Sequence, residues 1–186
     1  MALSREQGFP YWLGLGTIRR GWALAAQGQG AEGVEQIRQG LAVWRATGAD
    51  LVLPWFLALL AEACGRAGAA EEGLTAVAEA LTAVHTKANR AYEAELYRLK
   101  GELLVTLSPG NIAEAESCFQ QALNIARRQE AKSWELRSAM SLARLWQQQG
   151  KHAAAYALLA PIYGWFTEGF DTADLQGAKA LLAELS

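Results

Sequence analysis

Residues 28–37 read GQGAEGVEQI, residues 68–77 GAAEEGLTAV, residues 110–119 GNIAEAESCF and residues 150–159 GKHAAAYALL. Each stretch opens on a glycine. A small residue stands five positions on (Gly33, Gly73, Ala115, Ala155) and an apolar one four beyond it (Ile37, Val77, Phe119, Leu159). The opening glycines, Gly28, Gly68, Gly110 and Gly150, are spaced 40, 42 and 40 residues apart. A period in this range, with a turn glycine between two helical patterns, belongs to stacked helical hairpins. Glycine suits the left-handed conformation that commonly ends a helix, because it has no Cβ to clash. The small residue then lets the second helix approach the first closely, and the apolar residue lies one turn further along the same face.

Outward from these turns the chain is helical in composition. Ala, Leu, Glu, Gln and Arg dominate, only four prolines occur and β-branched runs are absent, so the fold class is all-α. First helices are expected over about 10–27, 51–67, 90–107 and 132–149, and second helices over about 31–47, 70–86, 112–129 and 152–166. A closing helix over about 172–185 has Asp171 placed as its N-cap and Asp174 three residues on. Its apolar stripe, Leu175, Ala178, Leu182 and Leu185, would cover the last open seam. The aromatic run Tyr163, Trp165, Phe166 and Phe170 reads as a buried plug beneath that helix or, left in solvent, as a docking patch.

At 186 residues and 52% apolar, the chain can bury its core as one domain, 1–186. A net charge of −2 and a pI near 5.8 give no reason to expect nucleic acid or an anionic membrane as partner. The apolar stretch from Leu51 is soon interrupted by Glu62 and Arg66, short of the roughly 20 residues a membrane span needs. Arg5 and Glu6 precede any apolar run, so the N-terminus does not read as a secretory signal, and a cytoplasmic location is expected.

No pattern that carries catalysis emerges. Cys64 and Cys118 lie in different repeats with no CxxC or histidine partner and read as small buried hydrophobes, so no metal site is expected. His85 and His152 fall near helix ends, where solvated or capping roles are ordinary. Gly28, Gly30 and Gly33 spell GxGxxG, but the dinucleotide motif needs a strand before it, and residues 18–27 are helical in pattern. Glu93, Glu95 and Glu102 have the residue type of paired acids, yet Arg98 lies three and four residues from the last two, and a surface ion-pair ladder accounts for them. There is no GxxxxGK[ST] phosphate loop. The expectation is a chain without catalytic residues, cofactor or metal, and not an enzyme.

Small anchors at this spacing resemble the tetratricopeptide repeat, with an aromatic early in its first helix, Gly or Ala midway, and an Ala…Phe…Ala set in the second. The third copy matches with Tyr97, Gly101, Ala115, Phe119 and Ala122, while the first keeps Gly21 but has Gly33, Ile37 and Gly40. The period exceeds that family's usual one of about 34, so longer helices are expected. Four strings in order, Glu6 to Leu13 (EQGFPYWL), Glu93 to Leu104 (EAELYRLKGELL), Ser138 to Gly150 (SAMSLARLWQQQG) and Pro161 to Thr172 (PIYGWFTEGFDT), resemble the C-terminal region of bacterial predicted ATPases. In that family an ATP-binding module, often preceded by an adenylate or guanylate cyclase domain or by a DNA-binding domain, is followed by a helical repeat array.

The resemblance implies a right-handed superhelix of about four helix pairs plus a capping helix, serving as the protein-interaction and regulatory part of a larger signalling ATPase. In tetratricopeptide superhelices the first helices line the concave surface. Matching positions here are Trp22, Trp55, Glu62, Arg66, Glu95, Arg98, Glu102, Arg137, Arg144 and Gln148. That face is aromatic at one end and basic toward Arg137 and Arg144, which suits a peptide or partner helix with an apolar anchor and an acidic end. The alternative is a small-molecule effector sensor that gates an attached ATPase or cyclase, with a closed apolar pocket around Trp22 and Trp55. Residues 1–8 read as the tail of a preceding repeat, so the chain would open mid-repeat. Its uncovered N-terminal seam would then be a surface for a homodimer.

Overall fold

The computed structural model describes residues 8–87 and 89–186, so the repeat tail expected over residues 1–8 lies, except for Gly8, outside the described residues. Those residues form helices and no strands. They are α1 (Pro10–Ala26), α2 (Gly30–Arg45), α3 (Leu53–Arg66), α4 (Ala70–Lys87), α5 (Glu93–Leu107), α6 (Ile112–Arg128), α7 (Lys132–Gln148), α8 (His152–Tyr163) and α9 (Ala173–Leu185). A short 3₁₀ turn, Pro109–Asn111, joins α5 to α6. The helices divide into two compact units, Met1–Tyr92 with Leu103–Pro109, and Glu93–Glu102 with Gly110–Ser186.

In the first unit α1 packs on both α2 and α3, and α3 packs on α4. The α1–α2 contact is built from glycine. A Cβ added to Gly21 would stand 2.6 Å from the Gly33 carbonyl oxygen, and one added to Gly33 would stand 2.5 Å from that of Gly21 and 2.7 Å from the Ala25 nitrogen. These neighbours are backbone and cannot swing aside. At Gly73 the nearest atoms are the Leu103 methyls at 2.9 and 3.0 Å, which can rotate away. Ile37 and Val77 are buried at the seam as their spacing predicts, and Trp44 stands edge-on to Phe56 with ring centres 5.0 Å apart. On the outside, Arg38 bonds Glu72 and Arg45 bonds Glu79, both pairs bridging α2 to α4 across 34 residues. Such exposed pairs contribute little each.

In the second unit α6, α7 and α8 pack in succession, and α9 packs on both α7 and α8. That is the relation α3 bears to α1 and α2, so the closing helix takes the place a further first helix would hold. Leu175, Ala178, Leu181 and Leu185 are its buried stripe, with Leu181 in the role expected of Leu182. Phe119 lies against Gly101, filling the space where a Cβ would stand. The N-cap of α9 is Thr172 and not Asp171, and the Thr172 hydroxyl donates to the Gly169 carbonyl at 2.7 Å. Helix α8 stops at Tyr163, before the expected Phe166, where Gly164 donates its N–H to the Ala160 carbonyl at 2.9 Å. The following aromatics are not a buried plug: Trp165 is 57% and Phe170 47% exposed. The buried α9 leucines already close the seam, leaving those rings outside it.

Gly28, Gly68 and Gly150 end their helices with φ of 88°, 75° and 74°. The residue after each glycine donates its N–H to the carbonyl five positions back: Gln29 to Leu24, Ala69 to Cys64 and Lys151 to Trp146. This is the helix-terminating pattern that needs a left-handed residue. Gly110 does not follow. Pro109 disfavours helical backbone in the residue before it, Ser108 is extended at φ −163° and ψ 141°, and the 3₁₀ turn carries the chain across. The same termination recurs at the end of α6, where Ala131 bonds Ala126, with Glu130 in the left-handed position at φ 54°.

These two backbone constraints predict changes of opposite sign. Gly33→Ala forces α1 and α2 apart and should lower unfolding stability by about 3 kcal/mol. Glu130→Gly removes a Cβ clash at an exposed turn and should raise it by about 1 kcal/mol. Urea titration followed by circular dichroism measures both; a stabilised Gly33→Ala or a destabilised Glu130→Gly would refute the corresponding account.

Candidate functional site

Most of the polar and aromatic side chains named on the first helices are engaged with neighbouring side chains. In the first unit, half-buried Trp22 on α1 donates its indole N–H to Glu62 on α3 at 2.8 Å, and Glu62 also takes a bond from Arg66 one turn on at 2.9 Å. Trp22 and Glu62 are one repeat apart in sequence. Trp55 stacks on Tyr92 at 6.2 Å with the planes 19° apart, and the Arg19 guanidinium lies 5.3 Å from the Trp55 ring centre. Arg66 is exposed. The result is a half-buried aromatic surface framed by exposed cations.

The second unit holds a largely buried ion network among residues assigned from the sequence to a partner-binding face. Glu95 and Arg98, each 5% exposed, form a two-pronged pair at 2.7 and 2.8 Å. Arg98 also pairs with Glu102 and reaches the Ser141 hydroxyl at 3.4 Å, while that hydroxyl donates to Glu102 at 2.8 Å. Arg137 closes the set by pairing with Glu95 at 2.8 Å, and it reaches Asp174 of α9 at 3.8 Å. Burial works against the Arg98 charge, but Glu95 and Glu102 outweigh it and hold the guanidinium above its ordinary range. Arg144 and Gln148 are exposed on α7.

Glu135 makes a second buried carboxylate centre. Burial alone would raise its pKa; hydrogen bonds from Lys132 at 2.8 Å and Arg127 at 2.9 Å reverse that and hold it below the usual carboxylate range. The cysteines are buried as expected: burial, with help from the Glu72 carboxylate, pushes the Cys64 thiol up to about 11, and burial raises Cys118 as well. His85 and His152 are exposed. Among the described residues no three His, Cys, Asp or Glu side chains gather as a metal cluster would, and no helix is long and apolar enough to cross a membrane. An open cavity of about 450 Å³ in the first unit is lined by residues 68–72 with Thr106 and Leu107, a place apart from Trp22 and Trp55.

Several participants escaped the sequence. Arg19 lies three residues before Trp22, one turn back on the same helix, which is a signal that could have found it. Tyr92, Ser141 and Glu135 carried none, because their roles depend on which neighbouring helix each faces.

No protein-family model matches the chain, and no curated protein matches it. Solved structures do. The nearly identical TPR-like repeats of a kinesin light chain from Podosopora anserina superpose with a TM-score of 0.68 at 18% identity, covering 95% of this chain and 86% of that one. A single-substitution variant of the same repeats gives 0.68 at 17% identity, covering 95% and 85%. The fold is therefore all-α, of the TPR-like helical-repeat kind.

The buried network predicts a loss of stability with an assignable cause. Arg98→Met leaves Glu95 and Glu102 short of their shared cation and should cost about 3 kcal/mol or more. Glu95→Leu/Arg98→Met, which removes the pair together, should recover part of that loss. A double-mutant cycle by chemical denaturation measures the coupling, and additive losses would show that the pair is not coupled.

Proposed function

We propose that this chain is a non-catalytic protein-interaction module, the regulatory part of a larger bacterial signalling ATPase, working in the cytoplasm. The observation that carries it is the surface made by Trp22 and Trp55 on adjacent first helices of a TPR-like repeat, half-exposed and flanked by Arg19 and Arg66. Tryptophan and arginine are the usual anchors of binding energy at such surfaces, because they combine large contact area with a polar handle. A peptide or partner helix would lay an apolar residue against the indoles. An acidic group on it would meet Arg66 in the first unit, and Arg144 with Gln148 offers a comparable polar stretch in the second.

Arg98 and Arg137 support the array in this proposal by holding α5, α7 and α9 in place, and they leave partner charge to Arg66 and Arg144. Comparing proteins retained from a bacterial lysate by the wild type, by Trp55→Ala/Arg66→Glu and by Arg144→Glu tests it. A partner held by the wild type and lost from the first variant, with helicity unchanged, is the expected result. Equal retention by all three would sink the assignment of this surface.

A homodimer through the N-terminal end is the second reading. It is favoured by Phe9 and Trp12, 51% and 60% exposed at the start of α1. Trp12→Glu should then turn a concentration-dependent dimer into a monomer in analytical ultracentrifugation, and an unaltered equilibrium would dismiss it.

A further inference from the structure

The four second helices provide their own control for what an outward face looks like in this protein. Helix α2 presents Glu32, Arg38 and Arg45 to solvent, α4 presents Glu71 and Glu79, and α6 presents Glu114 and Arg127. Helix α8 presents none. From His152 to Thr167 there is no Asp, Glu, Lys or Arg, and the exposed positions include Tyr156, Ala157 and Pro161. Exposed Trp165 and Phe170 extend the apolar surface into the loop beyond α8, where the Lys132 ammonium of α7 lies 5.5 Å from the Trp165 ring centre, and Tyr156 is itself 44% exposed. A contiguous apolar face of this kind, absent from three sister helices, marks an interaction surface.

Apart from Lys132 of α7, which stands over Trp165, the charges flanking this face lie at its two ends and are opposite. Lys151 and His152 begin α8, whereas Glu168 and Asp171 follow it, all four exposed. The helix dipole adds to the same polarity, positive at the N-terminus and negative at the C-terminus. Such a face complements itself when two copies meet antiparallel across a two-fold axis. Lys151 of each copy then lies near Glu168 and Asp171 of the other, and uncharged surface meets uncharged surface between them. Alanine at position 157 lets the two helices approach closely. We infer that the outer face of α8 with its following aromatic loop binds a second copy of this chain, as an isologous antiparallel pair.

This face is distinct from the N-terminal end of α1, and the variants below separate association through one from association through the other. Sedimentation equilibrium of the whole chain, from micromolar to several hundred micromolar, tests it against defined variants. The wild type should show a monomer–dimer equilibrium. Ala157→Glu places two like charges across the axis and should weaken it by about tenfold or more, at unchanged helicity because the position is exposed. Lys151→Glu should weaken it as well, and Lys151→Glu/Glu168→Lys should restore it by exchanging the two ends. A wild type that stays monomeric throughout, or a dimer indifferent to Ala157→Glu, overturns the inference. So does a dimer that Trp12→Glu alone abolishes, or a charge exchange that fails to restore what Lys151→Glu lost.

Discussion

Four glycines hold α1 and α2 so close that backbone packs on backbone, and what the first unit presents to solvent is set by that distance. Gly14 and Gly21 on one helix face Gly40 and Gly33 on the other, and a Cβ at any of them would collide with main-chain atoms. With no side chain to absorb a shift, the two helices have one relative position. Helix α3 packs against that pair, so Trp22 meets Glu62 and Trp55 is delivered to Tyr92 and Arg19. The half-buried aromatic surface is thus a consequence of helix spacing fixed by residues that never touch it.

The second unit achieves the same order by other means. Phe119 against Gly101 fills its seam with an aromatic ring, and a buried ion network ties α5 to α7. Removing charges from water is costly, and the arrangement persists because each is multiply bonded: Arg98 to Glu95, Glu102 and Ser141, and Glu95 to both arginines. A network of this kind tolerates few alternative helix positions, since a slide of one turn would strand a buried charge. It also commits the guanidiniums of Arg98 and Arg137 to carboxylates of the same unit. Arg19, Arg66 and Arg144, by contrast, stay exposed.

Taken with the uncharged outer face of α8, the chain offers chemically different surfaces on one helical framework. One, in the first unit, is aromatic and flanked by cations; the other, on α8 in the second, is apolar with charged residues near its ends. Repeat architecture permits this because each helix pair contributes its own outer residues while the seam residues stay in common.

Much of the fold was legible in the sequence because its causes are local. A left-handed turn, a small residue at a helix crossing and an apolar stripe each depend on residues a few positions apart, so Gly28, Gly33 and Ile37 announce a helix pair before any tertiary contact exists. Legibility failed where a distant residue or a competing local rule intervened. Pro109 replaced the turn expected at Gly110, Thr172 took the cap assigned to Asp171, and the α9 leucines filled the seam that Trp165 and Phe170 were expected to plug. The positions along the first helices could be read from the sequence, but their state could not. Whether Arg98 is solvated or buried depends on Ser141 and Arg137, about forty residues away and on another helix. Sequence alone determined the helices, their pairing and the crossing residues, because these follow from backbone sterics and periodicity. Tertiary structure decided which charges are buried and which aromatics face solvent, because burial is a property of the neighbours and not of the residue.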